Sequence, residues 1–239
     1  MAKAITDAGG KIGAAGAGWF ITGTDTGVGK TLAAQMLLLA LRARGIPAVG
    51  MKPVASGCRS TPLGLRSEDA EVLLAASGVA APYDDVNPYA FEPAIAPHLA
   101  GGKPIEIERI GVHYGRLRSL APYIVVEGVG GWAVPIGPRE SMADLAAALA
   151  LPVILVVGLR LGCLNHALLT AQAIEARGLK LAGWVANPID PAMLHVEANI
   201  ASLRERLAVP LIARFPSLPP HGRHEELVSL FDLATLGLH

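Results

Sequence analysis

An excess of either charge is the first thing this chain lacks. Twenty Lys and Arg stand against twenty Asp and Glu, a formal net charge of zero. A phosphate backbone calls for a basic footprint, so nucleic acid is not an expected partner. Aromatic residues make up only 5 %, which argues equally against a base-stacking surface. Cysteine is scarcer still. Cys58 and Cys163 lie far apart and offer neither a disulfide framework nor a zinc-ligand pair. A reducing, cytoplasmic compartment is the simpler expectation. No apolar run reaches membrane-spanning length without a Gly, a Pro or a charge, so no membrane partner is expected. Residues 1–18 are rich in Gly and Ala but hold Asp7 and Lys11 and no continuous apolar run. They make a poor signal peptide and read as a flexible leader ahead of one domain over 19–239.

Apolar bulk is what the chain has. Hydrophobic residues make up 52 % and charged residues 17 % of 239, enough to cover a parallel sheet on both faces. That length fits one large α/β domain. Strand patterns are expected at 19–21, 48–51, 122–126, 152–158, 181–186 and 210–215. The run over 152–158 is nearly all apolar, as a central parallel strand requires. Helices are expected at 30–44, stopped by Gly45 and Pro47, and then from Ser67, an N-cap followed by Glu68, Asp69 and Glu71. Further helices are expected at 105–120, 142–150, 164–177, 192–207 and 223–236. Residues 78–104, rich in Pro and Gly, read as an irregular excursion with a short helix. Alternation without repeat or linker predicts an α/β fold: a single-domain parallel β-sheet with helices on both faces.

The organising stretch is Gly23-Thr24-Asp25-Thr26-Gly27-Val28-Gly29-Lys30-Thr31. It follows the apolar Trp19-Phe20-Ile21 and opens into a long apolar helix. Strand, glycine loop and helix in that order make a phosphate loop of the P-loop NTPase type, with its first glycine one place early because Thr24 stands where the strict pattern has Gly. Backbone N–H groups and the helix N-terminus would converge on a polyphosphate. Lys30 would reach the terminal phosphates and the Thr31 hydroxyl would bind Mg²⁺.

Lys52 and Ser56, Glu127, and Asn187 also fall at the C-terminal ends of expected strands, where open α/β sheets bind ligands. Glu127 ends an apolar strand, and a carboxylate there suits a cation that polyphosphate oxygens leave under-coordinated. The glycines after it suit close approach of a ligand. Taken alone, Lys52 reads sooner as a solvated base, Asp69 as a helix-start charge and Asn187 as a turn residue before Pro188.

Taken together, eight segments resemble dethiobiotin synthetase. They are Gly23 to Thr31, Lys52-Pro53-Val54-Ala55-Ser56-Gly57, Ser67-Glu68-Asp69-Ala70, Asn87-Pro88-Tyr89, Pro97-His98, Glu127-Gly128-Val129-Gly130-Gly131-Trp132, Gly162-Cys163-Leu164-Asn165-His166 and Gly183-Trp184-Val185-Ala186-Asn187. The resemblance covers the chain from about residue 19 to 218. Gly-Lys-Thr is shared by many nucleotide enzymes; the Lys52 and Glu127 segments together are specific.

The resemblance implies an ATP- and Mg²⁺-dependent ligase of biotin synthesis, acting on 7,8-diaminononanoate and CO₂ as a homodimer with sites at the subunit interface. It implies Lys52 and Lys30 as catalytic cations. It implies Thr31, Asp69 and Glu127 as metal ligands. Nucleotide contacts would come from Gly27, Val28, Gly29, Lys30, Thr31 and Leu32, from Asp69, from Glu127, Gly128, Val129 and Gly130, from Asn187 and Pro188, and from Pro216, Ser217 and Leu218. Asn187 would read the adenine. Thr26, Lys52 and Ser56 would hold the reacting amine and carbamate. Gly162, Cys163, Leu164 and Asn165, at a helix start with free N–H groups, would receive the substrate's carboxylate beside the neighbouring subunit; read as an ordinary helix start, the same segment has Asn165 as its cap. Ser217 stands where some members have Trp, which leaves the nucleotide preference open, and Gly27 where some carry an acidic residue.

His221 and His224 read as surface residues of a Pro-rich loop, and His98 and His166 receive no chemistry. Trp132 suits either a wall for the substrate's methylene chain or packing on the sheet. The alternative function is a partitioning-type ATPase switch of the same loop class. Such switches carry an additional lysine near the loop start, where this chain has Thr24, Asp25 and Thr26.

Overall fold

The computed structural model describes residues 17–217 and 224–238. Its first half runs β1 (Ala17–Gly23), α1 (Lys30–Ala43), β2 (Ala48–Met51), β3 (Val54–Ser56), β4 (Arg59–Thr61), β5 (Gly64–Arg66), α2 (Glu68–Ala76), α3 (Tyr83–Val86) and β6 (Tyr89–Phe91). After a 3₁₀ turn at Pro97–Leu99 come α4 (Ile107–Leu120), β7 (Tyr123–Glu127), α5 (Met142–Leu149), β8 (Val153–Leu159), α6 (Cys163–Ala176), β9 (Leu181–Pro188), α7 (Val196–Arg206) and β10 (Leu211–Arg214). Two 3₁₀ segments follow, His224–Leu230 and Ala234–Leu236.

Six strands form one sheet in the order β10-β9-β8-β1-β7-β2, every pairing parallel. Side chains alternate across it with the two-residue period of extended backbone. Phe20, Ile124, Val126, Val153, Leu155 and Val157 face α4, α5, α6 and α7, while Trp19, Ile21, Val125, Ile154 and Val156 face α1, α2 and the last 3₁₀ segments. All seven residues of β8 are buried, as its unbroken apolar run predicts. The expected α/β fold with helices on both faces is the observed one. No helix among the described residues is long and apolar enough to cross a membrane.

The fold departs from the expected elements at four places. β1 starts at Ala17, inside the span read as a leader; residues 1–16 lie outside the described residues. Between β2 and α4 lie strands too short to show a period, β3 to β5 ahead of the excursion expected over 78–104 and β6 within it: β3 pairs β6 in parallel, and β4 and β5 form a hairpin. α7 begins at Val196 rather than 192, because the Asp190 carboxylate accepts the Ala192 N–H at 2.9 Å and holds a turn there. The closing helix expected over 223–236 is two 3₁₀ pieces, with Arg223 outside the described residues. Asp232 breaks it: its N–H donates to the Ile212 carbonyl at 2.9 Å and its side chain takes up the Thr235 N–H.

Candidate active site

β1 lies between β7 and β8, so its C-terminal end opens at the middle of the sheet. The phosphate loop leaves from there. Gly29 caps α1 with φ +91°, and a Cβ at that position would collide with the Asn187 amide. Both the dihedral and the space require glycine. Three neighbours fasten the loop. The Thr24 N–H donates to the Val156 carbonyl at 3.0 Å, and Thr24 Oγ1 accepts the Gly158 N–H at 3.4 Å. Asn187 Nδ2 donates to the Val28 carbonyl at 2.9 Å. Lys30 Nζ folds back onto the Asp25 carbonyl at 2.9 Å.

Beside Thr31 the structure gathers residues far apart in sequence. Its hydroxyl lies 2.9 Å from Asp69 Oδ1 and 2.9 Å from Glu127 Oε1, so one proton serves one carboxylate at a time. Lys52 stands between the same two groups, its Nζ 2.5 Å from Glu127 Oε1 and 2.8 Å from Asp69 Oδ2. The Gly128 carbonyl, at 3.3 Å, takes the third ammonium proton. Each part sits at the end of an element: Lys52 after β2, Asp69 in the first turn of α2, Glu127 at the last residue of β7. Ser67 starts α2 where expected, its hydroxyl accepting the Ala70 N–H at 3.3 Å. Asn87 holds the Lys52 segment from behind, donating from Nδ2 to the Lys52 carbonyl at 2.6 Å.

Burial governs the charges. It works against the ammonium of Lys52, but Glu127 and Asp69 outweigh it and hold the group above its ordinary value, fully protonated. Burial likewise pushes Glu127 up against the pull of Lys52. Burial opposes the charge on Asp69 too, yet Lys52 and the Lys52 and Thr31 hydrogen bonds bring it below the usual range. Lys30 is lowered to about 8, by burial first and then by the positive charge of Lys52. The two lysines therefore share one electrostatic site.

Two buried oxygens of candidate site residues, Glu127 Oε2 in this cluster and Ser56 Oγ on β3, have no hydrogen-bond partner among the described residues. A buried carboxylate oxygen left unpaired is costly unless a ligand supplies its partner. Among the described residues no group of three His, Cys, Asp or Glu could hold a metal unaided. Mg²⁺, however, typically takes one or two carboxylates and completes its shell from phosphates and water. A hydroxyl, Asp69 and the orphaned oxygen of Glu127 fit that ion.

Apart from Gly128, the remaining described residues make no hydrogen bond to the side chains of this cluster and are placed by their own elements. Gly27 and Thr26 are exposed on the loop, and Val28 is buried. Leu32 packs at the start of α1. Gly128, Val129 and Gly130 follow Glu127. Asn187 and Pro188 end β9, and Pro216 and Ser217 follow β10 beside them, the Phe215 N–H donating to the Ala186 carbonyl at 2.9 Å. Leu218 and His221 lie outside the described residues. Gly162, at φ +94°, is the N-cap of α6, with Cys163 and Leu164 in its first turn. Asn165 stands inside the helix and does not cap it: glycine in the left-handed region turns the chain instead. Cys163 is buried, its thiol 3.9 Å from Asn199 Oδ1. Trp132 packs edge-on against Phe20 with ring centres 6.4 Å apart and is 6 % exposed, so it belongs to the core. Sequence reasoning missed one ion pair, Asp25 of the loop with Arg160 just after β8, at 2.5 Å. Its only signal was that Arg160, like Lys52, follows a strand end.

Comparison with known proteins follows the same lines. A family model described as an AAA domain matches residues 17–225. The ATP-dependent dethiobiotin synthetase BioD of Xanthomonas oryzae pv. oryzae (strain PXO99A) is 54 % identical over 204 residues, which is 84 % of this chain and 91 % of that protein. The protein of the same name from Xylella fastidiosa (strain 9a5c) is 51 % identical over 205 residues, at 84 % and 91 % coverage. Among solved structures, the MinC:MinD cell division protein complex of Aquifex aeolicus superposes with a TM-score of 0.52 at 19 % identity, over 85 % of this chain and 82 % of that one. The cell division ATPase MinD of Pyrococcus furiosus gives 0.51 at 18 %, over 89 % and 95 %. At such identity the likeness concerns the fold alone.

Proposed function

The chain belongs to the dethiobiotin synthetase family, and from that premise we propose that it closes 7,8-diaminononanoate and CO₂ into dethiobiotin at the expense of ATP, through the cluster around Lys52. One amine adds to CO₂ and loses a proton, giving a carbamate. A carbamate oxygen attacks the γ-phosphate, the bond to the β-phosphate oxygen breaks, and ADP leaves. The second amine attacks the carbamic–phosphoric anhydride at carbon, closing the cyclic urea, and expels phosphate, which leaves with the amine's proton as hydrogen phosphate.

The observation that carries this reading is the sharing of Asp69 and Glu127 between Thr31 of the phosphate loop and the Lys52 ammonium. A loop that receives a triphosphate then stands beside a second fixed cation, where negative charge builds as carbamate meets phosphorus. Lys30 and Lys52 stabilise that charge. Thr31, Asp69 and Glu127 would hold Mg²⁺, which supplies charge neutralisation on the phosphate oxygens when bound. The loop from Gly27 to Leu32 and the segment from Glu127 to Val129 and Gly130 line the phosphates. Asn187, with Pro188, Pro216 and Ser217, takes the base. Its amide is already half engaged with the Val28 carbonyl, so base and loop are held by one side chain. Thr26 and the unpaired hydroxyl of Ser56 face the amine and carbamate, and the α6 N-terminus takes the substrate's carboxylate. Leu161, just before that N-terminus, is 95 % exposed, and Leu169, two turns into α6, 57 %. Such apolar exposure suits a second copy lying across it. The compartment is the cytoplasm.

Phosphate release measured with ATP, Mg²⁺ and bicarbonate, with and without the diamine, tests the proposal. Release is expected to require the diamine. Lys52→Ala is expected to lose it while keeping nucleotide affinity. Hydrolysis that ignores the diamine and responds to DNA or lipid would favour the switch.

A further inference from the structure

Asp25 is an odd residue for a loop destined to hold a polyphosphate, because its carboxylate adds negative charge there. Three bonds converge on it. Its carbonyl accepts Lys30 Nζ at 2.9 Å, Oδ1 accepts the Thr26 N–H at 2.7 Å, and Oδ2 pairs with Arg160 Nη2 at 2.5 Å. Arg160 is held from its other end as well. Its own carbonyl accepts the N–H of Cys163, the first residue of α6, at 3.0 Å. One residue thus ties the phosphate loop to the turn that sets the N-terminus of α6. Neighbouring strands β1 and β8 make this possible, since each delivers its last residues to the same edge.

We propose that Arg160 is a positioning residue with two effects: it neutralises Asp25 against the triphosphate, and it links nucleotide binding to binding of the substrate's carboxylate at α6. This rests on the ligase reading above. The charge effect follows from Coulomb repulsion between a carboxylate and phosphates on one loop, which a paired guanidinium cancels. The linkage follows because any shift of Asp25 as the loop takes up nucleotide passes through its bond to Arg160, whose carbonyl holds the first residue of α6. Two sites coupled through one element bias each other equally.

Titration calorimetry on the full chain separates the two effects, using Mg²⁺ with a non-hydrolysable ATP analogue, and the diamine alone or after the analogue. The wild-type chain is expected to bind the diamine several-fold more tightly once the analogue is bound. Arg160→Ala is expected to weaken the analogue about tenfold and to bring that coupling close to one, a change in the range of ordinary allosteric coupling. Adding Asp25→Asn to Arg160→Ala removes the exposed charge, so analogue affinity returns most of the way while the coupling stays lost. Arg160→Lys keeps the charge and is expected to keep much of the affinity. A purely structural role would not be rescued by Asp25→Asn. Native analogue affinity in Arg160→Ala overturns the proposal, and so does a double variant no better than the single. A wild-type chain that never binds the diamine counts against the ligase reading instead, and the analogue titrations then decide the charge effect by themselves.

Discussion

Lys52 and Arg160 each bring a cation to a carboxylate beside the phosphate loop, on opposite sides of β1, and burial makes them different objects. The Lys52 side chain is 3 % exposed and its partner Glu127 1 %, with only Asp69, at 42 %, reaching solvent; Arg160 is 42 % exposed and Asp25 46 %. Charges drawn out of water must satisfy one another, and removing one leaves the rest stranded. Charges at the rim are already half paid for by solvent, and the pair adds little to folding. The buried cluster is therefore part of the fold as well as of the chemistry, while the rim pair is free to act on ligands alone.

The sharpest way to break this contrast is Lys52→Met. It strands the buried Glu127 without its cation, at a cost of about 3–5 kcal/mol, while the half-exposed Asp69 is solvated and adds little. Urea unfolding at neutral pH measures it. Added Mg²⁺ is expected to raise the melting temperature of the variant by more than that of the wild type, because an ion on the two carboxylates takes over the neutralisation. A variant as stable as the wild type would mean that Glu127, already pushed up by burial, simply takes a proton.

An intermediate case refines the scale. Asp144 is 29 % exposed and completes a capping box at the start of α5, accepting the Ser141 N–H at 2.7 Å and hydroxyl at 2.6 Å, with Arg177 at 2.6 Å on its other oxygen. Burial pushes its pKa up, but those hydrogen bonds and Arg177 prevail and hold it below its ordinary 3.8. A depressed carboxylate contributes stability that is fully present above the unfolded value and is lost as pH falls through the folded one. Asp144→Ala is expected to cost about 1 kcal/mol at pH 7. The gap between the two urea midpoints should narrow as pH drops below about 4. A gap independent of pH would assign the loss to packing.

The same contrast decides what could be read before any coordinates. Glu127 announces itself because a charge that closes an apolar run must end a buried strand at the ligand edge of the sheet. The phosphate loop is legible for a similar reason, as Gly29 and Lys30 sit at a change from strand to helix period. Lys52, one place past a four-residue strand, reads as a solvated base until the segments around it are set beside it. Asp69 is not legible alone: an acid in a first helical turn looks the same whether it meets solvent or Lys52. β3 to β6, three residues each, are too short to show alternation, and Asp232 stops the last helix through a contact with Ile212 that no local pattern contains. The Asp25–Arg160 pair stayed hidden because it depends on β8 lying next to β1. Sheet order is a property of the assembled layers, and neither residue carries it.

The smallest expected effect tests the contrast hardest. Arg160→Ala is expected to change stability by no more than about 0.5 kcal/mol, the usual consequence of losing one exposed ion pair. The fold around it does not depend on the guanidinium. Thr24 keeps its bonds to Val156 and Gly158, Asn187 keeps Val28, and Lys30 keeps the Asp25 carbonyl. The Cys163 N–H bonds the main chain of residue 160, which alanine retains. Urea midpoints compared at low and high salt check it, since a pair that did stabilise the fold would lose its contribution as salt screened it. A loss of several kcal/mol would make the rim pair a second structural cluster. It would also remove the separation on which the ligand-coupling role of Arg160 depends, because weakened nucleotide binding would then follow from a loosened loop and not from an exposed charge on Asp25.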